Sequence, residues 1–419
     1  APRNTALYSQ TSTTHYMQTI NGGAHALLSP SASHRWLNCT PSLRLEQIFG
    51  ADEGSEAALE GTIAHALCAA MLRLMSEGIM PGTVEAGIHD MLSTSEEFTA
   101  EQYNNYYCPE MWDLCLGYAE YVTAQYAQER ETTPDAILRI ESKLDISAYG
   151  ADMFGTTDAA IISDGRLLIF DFKYGKGVRV EANGNSQMRI YALGNIIEYE
   201  PMYAFEKVQM VIYQPRMENI AEYTSTVTEL KLWGNVTLRP KAADAISGRG
   251  SYHVGDWCRF CKARVRCNAV KESYYSVYNK YKDNDLPTMS DNELAEVALQ
   301  AKEVKQWFDK VADYVLAQMR SGREFEGLKL VAGRSNRVYS DPEKVAGTLL
   351  RNGYSENDIY KERELKGITD MQKLLKKKVM DELLGGLIIK PEGVPTMAPI
   401  DDKREAIKTA QQEFENLNI

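Results

Sequence analysis

Two aspartates and a lysine lie at one end of a predicted β-hairpin. Apolar, β-rich runs flank Asp164-Gly165, a dipeptide that favours a two-residue type I′ turn between antiparallel strands. Pairing the strands outward from that turn places Asp158 directly opposite Asp171, and opposed side chains share a face with Cβ atoms about 5 Å apart. Lys173 follows Asp171 by two residues and therefore points to the same side of the sheet.

These two carboxylates indicate a cation site. Two unit charges about 5 Å apart repel by about 3 kcal/mol at an effective dielectric near 20, and a divalent ion such as Mg²⁺ offsets that cost. The alternative is a pair of solvated aspartates at a strand end. Both strands are apolar on both faces, which is typical of central strands, and this favours the metal site. One face carries Ala160, Ile162, Leu167 and Ile169, and the other carries Ala159, Ile161, Leu168 and Phe170.

Length and charge set the broad class of the protein. A chain of 419 residues predicts two or three domains, and no run approaches the ~20 apolar residues of a membrane span. The N-terminal stretch lacks signal-peptide features, which predicts a cytoplasmic protein. The net charge of −12 gives no global attraction to DNA, so contacts with DNA must come from local basic patches. Such patches lie at 173–179, 259–266 and 376–378. The chain has no P-loop motif, which argues against a motor.

Seven cysteines in an intracellular chain indicate metal ligands or core residues rather than disulfides. Cys258, Cys261 and Cys267 are spaced C-x₂-C-x₅-C, which predicts three thiolate ligands of zinc or of an iron–sulfur cluster. The spacing distinguishes neither the metal nor the fourth ligand. Cys68 lies in an apolar helical run and is interpreted as a core residue. The candidates for the fourth ligand are Cys39, Cys68, Cys108 and Cys115.

The elements around the hairpin predict an α/β fold with a mixed sheet. One helix is expected over 57–75, which contains His65, and another over 104–128. A strand that carries Glu141 is expected over 136–146. After the hairpin, a helix over 186–197 places Gln187 and Tyr191 on one face at i and i+4. Strands over 205–214 and 223–230 and a helix over 232–245 complete this part. Taken alone, a lone helical His65 is more typical of a core residue than of a ligand.

The chain divides into five predicted parts. Residues 1–24 are a polar tail, 25–272 form the main domain, and 273–325 form a helical segment starting from a Ser290 cap. Residues 326–395 are expected to form a small α+β unit, and 396–419 a charged tail. The elements expected in that unit are a strand pair over 326–339, helices over 342–351 and 370–384, and a strand over 387–390.

Several of these motifs together resemble one nuclease family. Gly155-x-x-Asp158 and Asp171-Phe172-Lys173 are similar to the G-x-x-D and D-x-K motifs of RecB-family nucleases, within the PD-(D/E)XK superfamily. Three further motifs resemble other features of that family. Gln187-x-x-x-Tyr191 resembles the family's Gln-x-x-x-Tyr element, and Gly61-Thr62-x-x-His65 resembles its upstream histidine motif. Cys39 with Cys258, Cys261 and Cys267 resembles the iron–sulfur cage of the AddB-like and CRISPR-associated members.

The resemblance implies a fold and an activity. The fold is a restriction-endonuclease-like mixed central sheet flanked by helices, with a helical extension and a small C-terminal α+β unit. The activity is that of a metal-dependent deoxyribonuclease, an exonuclease of phage recombination or DNA processing. The segment beginning Ser29-Pro30-Ser31 also resembles uncharacterised phage-encoded proteins of this type, which places the chain in the host cytoplasm.

The resemblance also assigns roles to individual residues. His65, Asp158, Asp171 and the carbonyl of Phe172 are expected to hold Mg²⁺ or Mn²⁺. Lys173 orients water, and Gln187 and Tyr191 position the DNA strand. Glu141 lies near the metal in this interpretation, although a solvent-facing Glu141 between Arg139 and Lys143 would give the same sequence. The expected cofactor of Cys39, Cys258, Cys261 and Cys267 is a [4Fe–4S] cluster, with zinc as the alternative.

The expected partner is DNA, single-stranded or with a free end, with Tyr174 and Trp257 stacking on its bases. A phage single-strand-binding or annealing protein is a further expected partner, and no membrane is involved. Two alternatives remain open from the sequence: a non-catalytic, metal-stapled DNA-binding or recombination scaffold, and a zinc-stapled RNA-processing enzyme.

Overall fold

The computed structural model describes residues 26–49, 56–95, 97–281, 288–329, 331, 342–351 and 355. Short 3₁₀ turns link several elements, including Pro30–Ala32, Pro215–Met217, Asp256–Phe260 and Lys262–Arg266. The helices in the described part of the chain are α1 (Ser33–Asn38), α2 (Ser42–Gln47), α3 (Glu56–Ser76), α4 (Glu85–Ser93), α5 (Ala100–Tyr106), α6 (Pro109–Thr132), α7 (Ser186–Tyr199), α8 (Val227–Trp233), α9 (Arg239–Ser247), α10 (Asn268–Tyr281), α11 (Asp291–Arg320) and α12 (Pro342–Arg351).

A mixed five-stranded sheet in the order β1-β2-β3-β4-β5 forms the centre of the fold. All neighbouring strands are antiparallel except β3 and β4, which are parallel because α7 crosses over between them. The strands are β1 (Ile137–Asp145), β2 (Phe154–Ser163), β3 (Gly165–Phe172), β4 (Phe205–Gln214) and β5 (Asn219–Thr226). The predicted mixed sheet flanked by helices is therefore confirmed.

The predicted hairpin register is also confirmed, since Ser163 pairs with Arg166 and the ladder runs down to Ala159 opposite Phe170. The central strands are covered on both sides, as their apolar alternation indicates. The even-numbered residues of β2 pack with α7 and the helices after β5, and the odd-numbered residues pack with α3 and α6. This double cover leaves only the strand ends for polar chemistry.

The predicted type I′ turn is wrong. That turn requires positive φ at both central residues, but only Gly165 has it, with φ of 80°. The reason is the neighbouring strand: Gly165 N donates to the carbonyl of Ala204 at 2.7 Å, and the Asp164 carboxylate accepts from Ala204 N at 3.1 Å. The turn is thus shaped by β4 as well as by its own sequence.

Two element boundaries also differ from the sequence prediction. The helix expected over 104–128 is two helices, α5 and α6, because Tyr107 and Cys108 adopt extended backbone ahead of Pro109. The strand expected over 223–230 ends at Thr226, whose side chain begins α8 in a capping box with Glu229. The helix expected over 232–245 correspondingly starts earlier and contains a π-helical turn at Gly234–Leu238 before α9.

Among the described residues, α3 is the one helix with the length and apolar composition of a membrane span, and 44% of its apolar window is buried inside the molecule. Its buried positions, such as Ile63, Leu67 and Met71, belong to the same core cluster as Met111 of α6 and the odd-numbered face of β2.

The helical extension begins as predicted, with Ser290 and Glu293 forming a capping box at the start of α11. Trp307 of α11 is 7% exposed and packs against Cys258 and Val270. The predicted helix over 342–351 is present as α12. The predicted tails, and most of the predicted C-terminal unit and its basic patch at 376–378, lie outside the described residues.

Candidate metal centre and thiol pocket

Three acidic residues, Glu141, Asp158 and Asp171, lie at corresponding positions of β1, β2 and β3; we call them the acidic row. Ile140 pairs with Ala159 on one side of Glu141 and Ser142 pairs with Thr157 on the other, so Glu141 faces Asp158 across the sheet. On the β3 side the ladder ends one pair before the aspartates. There the Asp158 carboxylate accepts a hydrogen bond from the backbone N–H of Phe172 at 2.7 Å.

Glu141 reaches this row through an unusual backbone conformation. Its φ of 49° lies in the left-handed region, which costs a non-glycine residue about 1–2 kcal/mol. Burial and the neighbouring Asp158 raise the pKa of the Glu141 carboxyl to about 7. The possible ligand atoms of His65, Glu141 and Asp158 all lie within 4.8 Å of one another. The structure therefore supports the metal-side position of Glu141 over the solvent-facing alternative.

His65 projects from α3 onto the acidic row. Its Nδ1 lies 3.3 Å from Asp158 Oδ1, and its ring meets the Phe172 ring edge-on at 5.5 Å. Burial alone would lower the pKa of His65, but the Asp158 carboxylate outweighs it and raises that pKa to about 9. The same ion pair, against the effect of burial, holds the pKa of Asp158 below its usual range. His65 is thus a partner of the acids and not an isolated core residue.

Asp171 is the most buried member of the row, and its side chain is 3% exposed. Lys173 Nζ lies 3.0 Å from Asp171 Oδ2 and also donates to Gln187 Oε1 at 3.1 Å. Gln187 Nε2 in turn donates to Asp171 Oδ1 at 2.9 Å. Tyr191, one turn further along α7, has its hydroxyl 3.4 Å from Gln187 Nε2. These contacts join four of the residues picked out by the sequence into one network.

The charges in this network fit a cation. Burial raises the pKa of Asp171, while Asp171 and Asp158 overcome burial to raise the pKa of Lys173. Asp171 Oδ2 is buried and lies 3.0 Å from the Lys173 ammonium, which balances its charge. The carboxylates of Asp171, Asp158 and Glu141 supply oxygen ligands of the kind that Mg²⁺ or Mn²⁺ takes.

Tyr118 and Cys68 lie beneath the acidic row and were not singled out for it by their sequence pattern. Tyr118 is fully buried, and its hydroxyl has no hydrogen-bond partner in the described part of the chain. Burial, followed by Asp158, raises the pKa of its hydroxyl. Cys68 is 3% exposed, in agreement with its interpretation as a core residue. Both residues fall in apolar helical patterns, so no sequence signal distinguishes them from ordinary core positions.

The four predicted cysteine ligands, Cys39, Cys258, Cys261 and Cys267, line a single cavity of about 340 Å³, mouth included; we call it the thiol pocket. This selects Cys39 over the other candidates, because Cys68 and Cys115 lie in the core under the sheet and Cys108 caps α6. Contacts between α2 and the cysteine segment close the pocket, including a 2.7 Å hydrogen bond from the backbone N–H of Lys262 to Glu46.

Two arginines, the partly buried Arg35 and the buried Arg264, also line the thiol pocket. Arg35 forms an ion pair with Glu46, and Arg264 donates to the Tyr274 hydroxyl at 2.6 Å. The Nε atoms of both arginines are buried and have no partner among the described residues. Their positive charges lie where four metal-bound thiolates would concentrate negative charge, which fits a metal–thiolate centre.

The predicted stacking role of Tyr174 is wrong. Tyr174 is 3% exposed, because the Arg216 guanidinium covers its ring at 4.5 Å and is itself held by Glu60. Trp257 packs into the wall of the thiol pocket, and its indole N–H donates to the carbonyl of His253 at 2.9 Å. Bases of a bound strand could not reach the face of Tyr174 without displacing Arg216.

Comparisons with known proteins give a family but little about function. A solved structure titled "Crystal structure of SSO0001" is 17% identical over 55% of this chain and 95% of that chain, with a TM-score of 0.24, a similarity too low to support any argument. A family model described as "Protein of unknown function (DUF2800)" matches residues 25–405, a range that includes every residue the structure describes. The chain therefore belongs to the DUF2800 family.

Proposed function

We propose that this protein is a metal-dependent deoxyribonuclease, an exonuclease of phage recombination or DNA processing with a restriction-endonuclease-like core. One observation carries the proposal: possible ligand atoms of His65, Glu141 and Asp158 converge at the end of the central strands, and Asp171 beside them contacts Lys173 and Gln187. Carboxylates with an adjacent, partly buried amine form the constellation expected for metal-assisted phosphodiester hydrolysis. The motif resemblance to RecB-family nucleases supports the same reaction.

The residues that would hold Mg²⁺ or Mn²⁺ are His65, Glu141, Asp158 and Asp171, together with the Phe172 carbonyl as the sequence predicts. Such an ion, when bound, polarises a phosphate oxygen and lowers the pKa of a coordinated water. The backbone N–H of Phe172 and the ring of His65 each orient one oxygen of Asp158, which fixes the carboxylate for ligation.

Lys173 supplies the second electrostatic contribution. Its raised pKa keeps the amine protonated at neutral pH, so it can donate to the scissile phosphate and offset charge that develops during hydrolysis. Gln187 accepts from Lys173 and donates to Asp171, so it holds the amine beside the acids, and Tyr191 supports Gln187. These contacts keep the amine and the carboxylates at a fixed spacing.

DNA binding requires local positive charge, because the chain as a whole is acidic. The loop that follows Lys173 carries exposed Lys176 and Arg179 and leads directly to the helix of Gln187. Phosphate contacts by these side chains predict binding that weakens as salt rises. The thiol pocket, loaded with a [4Fe–4S] cluster, would staple α1 to the end of the core and leave the hydrolysis to the acidic row.

The test is a cleavage assay on end-labelled single-stranded and double-stranded DNA, using anaerobically purified protein. The expected result is shortening of the labelled strand with Mg²⁺ or Mn²⁺ and none with EDTA. Binding without cleavage under all metal conditions would instead favour the non-catalytic scaffold. Cleavage of RNA but not of DNA would favour the RNA-processing alternative.

A further inference from the structure

The loop over 174–184 joins two halves of the candidate site. It begins after Lys173, whose backbone N–H donates to the carbonyl of Tyr213 at 2.9 Å. It ends at Asn185, whose side chain caps α7 by accepting from Met188 N at 3.1 Å. The conformation of this loop therefore sets where its basic side chains lie relative to Lys173 and to the helix of Gln187.

Two buried amide side chains, Gln214 and Asn219, hold this loop by its backbone. Gln214 donates to the carbonyl of Val178 at 3.0 Å and accepts from the N–H of Val180 at 2.8 Å. Asn219 donates to the carbonyl of Val180 at 3.0 Å and to Gln214 Oε1 at 2.8 Å. Gln214 is 2% exposed and Asn219 1% exposed, so both amide groups are largely shielded from water.

Little else fixes the tip of the loop. A Cβ atom added at Gly175 or Gly177 would meet no atom within 4 Å, so this stretch lies in open space. Lys176 and Arg179 are exposed, and the Arg179–Glu181 pair at 3.5 Å is a surface ion pair of the kind that contributes little. The backbone of the tip is thus held by these two amides, next to Val180 and Ala182, which pack on the core.

We propose that Gln214 and Asn219 are positioning residues that hold the 174–184 loop so that Lys176 and Arg179 contact DNA phosphates flanking the scissile one. The inference rests on the proposed nuclease function and adds to it the residues that position the DNA-contacting loop. Neither amide touches the acidic row, so their loss is expected to weaken substrate binding while leaving the hydrolytic groups in place.

The test compares Gln214→Leu with Gln209→Leu, a matched change on the same strand whose amide contacts Arg166 and Glu222 away from the loop. One measurement is the rate of trypsin cleavage after Lys176 and Arg179 in the folded protein. The other is steady-state cleavage of a labelled single-stranded oligonucleotide with Mn²⁺. Asn219→Ala, which removes two of the four bonds, serves as the second variant where Gln214→Leu does not fold.

For Gln214→Leu we expect trypsin to cut the loop at least about tenfold faster and the KM for DNA to rise about tenfold, with kcat within about twofold of wild type. Gln209→Leu is expected to match wild type in both measurements. Unchanged loop protection with unchanged KM would overturn the inference, and so would a fall in kcat with no change in KM.

The experiment distinguishes a failure of the nuclease proposal from a failure of the proposed positioning role of Gln214 and Asn219. Where wild type cleaves no DNA with any metal, the nuclease function fails, and the dissociation constant of the same oligonucleotide replaces KM. Binding weakened about tenfold by Gln214→Leu then supports the positioning role, and an unchanged constant overturns it.

Discussion

The acidic row and the thiol pocket both gather metal-ligand side chains, but the chain assembles them by different means. The acids come from three consecutive antiparallel strands, so strand register places them side by side, with Glu141 turned inward by its positive φ. Cys39 instead meets its three partners through contacts of α1 and α2 with the segment after α9, such as the 2.6 Å hydrogen bond from the Thr40 hydroxyl to the carbonyl of Arg249.

Their electrostatics also differ. The acidic row concentrates negative charge around one lysine, whereas the thiol pocket places two arginines, one buried and one partly buried, beside four thiols. A site rich in carboxylates binds a hard cation that keeps water and phosphate ligands, while a closed thiolate site binds a structural centre. Under the proposed function the row would carry out the hydrolysis and the pocket would stabilise the fold, and four experiments test these roles.

The largest expected effect is on cleavage. Asp171→Asn removes a ligand charge and should lower the rate of DNA cleavage by about a thousandfold, because the metal and Lys173 both depend on that carboxylate. The fold should persist, since burial already disfavours ionised Asp171. The measurement is cleavage of labelled DNA with Mn²⁺, with Asp145→Asn at the exposed end of β1 as the control. Wild-type cleavage by Asp171→Asn would remove the acidic row from the mechanism.

The second experiment removes one of the four cysteines that line the thiol pocket. Cys39→Ala should abolish brown visible absorption and lower the free energy of unfolding by about 3 kcal/mol, because the centre closes a very long loop. Cys108→Ala, outside the pocket, is the control and should keep the colour. Visible absorption and thermal unfolding are the measurements. A colourless wild type containing one equivalent of zinc would contradict the cluster assignment.

The third experiment measures how the affinity for Mn²⁺ depends on pH. Metal binding must displace the protons of His65, whose pKa is about 9, and Glu141, whose pKa is about 7. Mn²⁺ affinity should therefore rise with pH, about tenfold per unit between pH 7 and 9 and about a hundredfold per unit below 7. Calorimetric titration of Mn²⁺ measures this slope. His65→Gln should remove the dependence above pH 7, and a pH-independent affinity would contradict the ligand set.

The smallest effect is a gain in stability. Glu218→Gly at φ 48° should raise the free energy of unfolding by about 1 kcal/mol, because glycine adopts positive φ without strain. Glu141→Gly should gain about 2 kcal/mol at pH 8, since it also removes a carboxylate whose raised pKa makes its ionised form costly above pH 7. Denaturant unfolding measures both variants. Of these two variants, only Glu141→Gly should bind Mn²⁺ about tenfold more weakly than the wild type does.

Local sequence patterns predicted the hairpin register, both faces of the central strands and the i, i+4 pair on α7, because each depends on periodicity over a few residues. These predictions were wrong where contacts with other parts of the chain determine the local structure. The Asp164-Gly165 turn is reshaped by Ala204, and Tyr174 is covered by Arg216 from the turn that follows β4. A capping box at Thr226 was present in the sequence but was outweighed by the β-rich pattern around it.

The sequence by itself determined that Asp158 and Asp171 meet, since strand alternation and a short turn leave no other register with both faces apolar. It also determined that Cys258, Cys261 and Cys267 stay together, because they are close along the chain. Only the tertiary structure decided that His65 reaches Asp158, that Glu141 turns inward at φ 49°, and that Cys39 is the fourth thiol. These depend on how distant helices pack on the sheet, and packing is set by the whole core rather than by any local pattern.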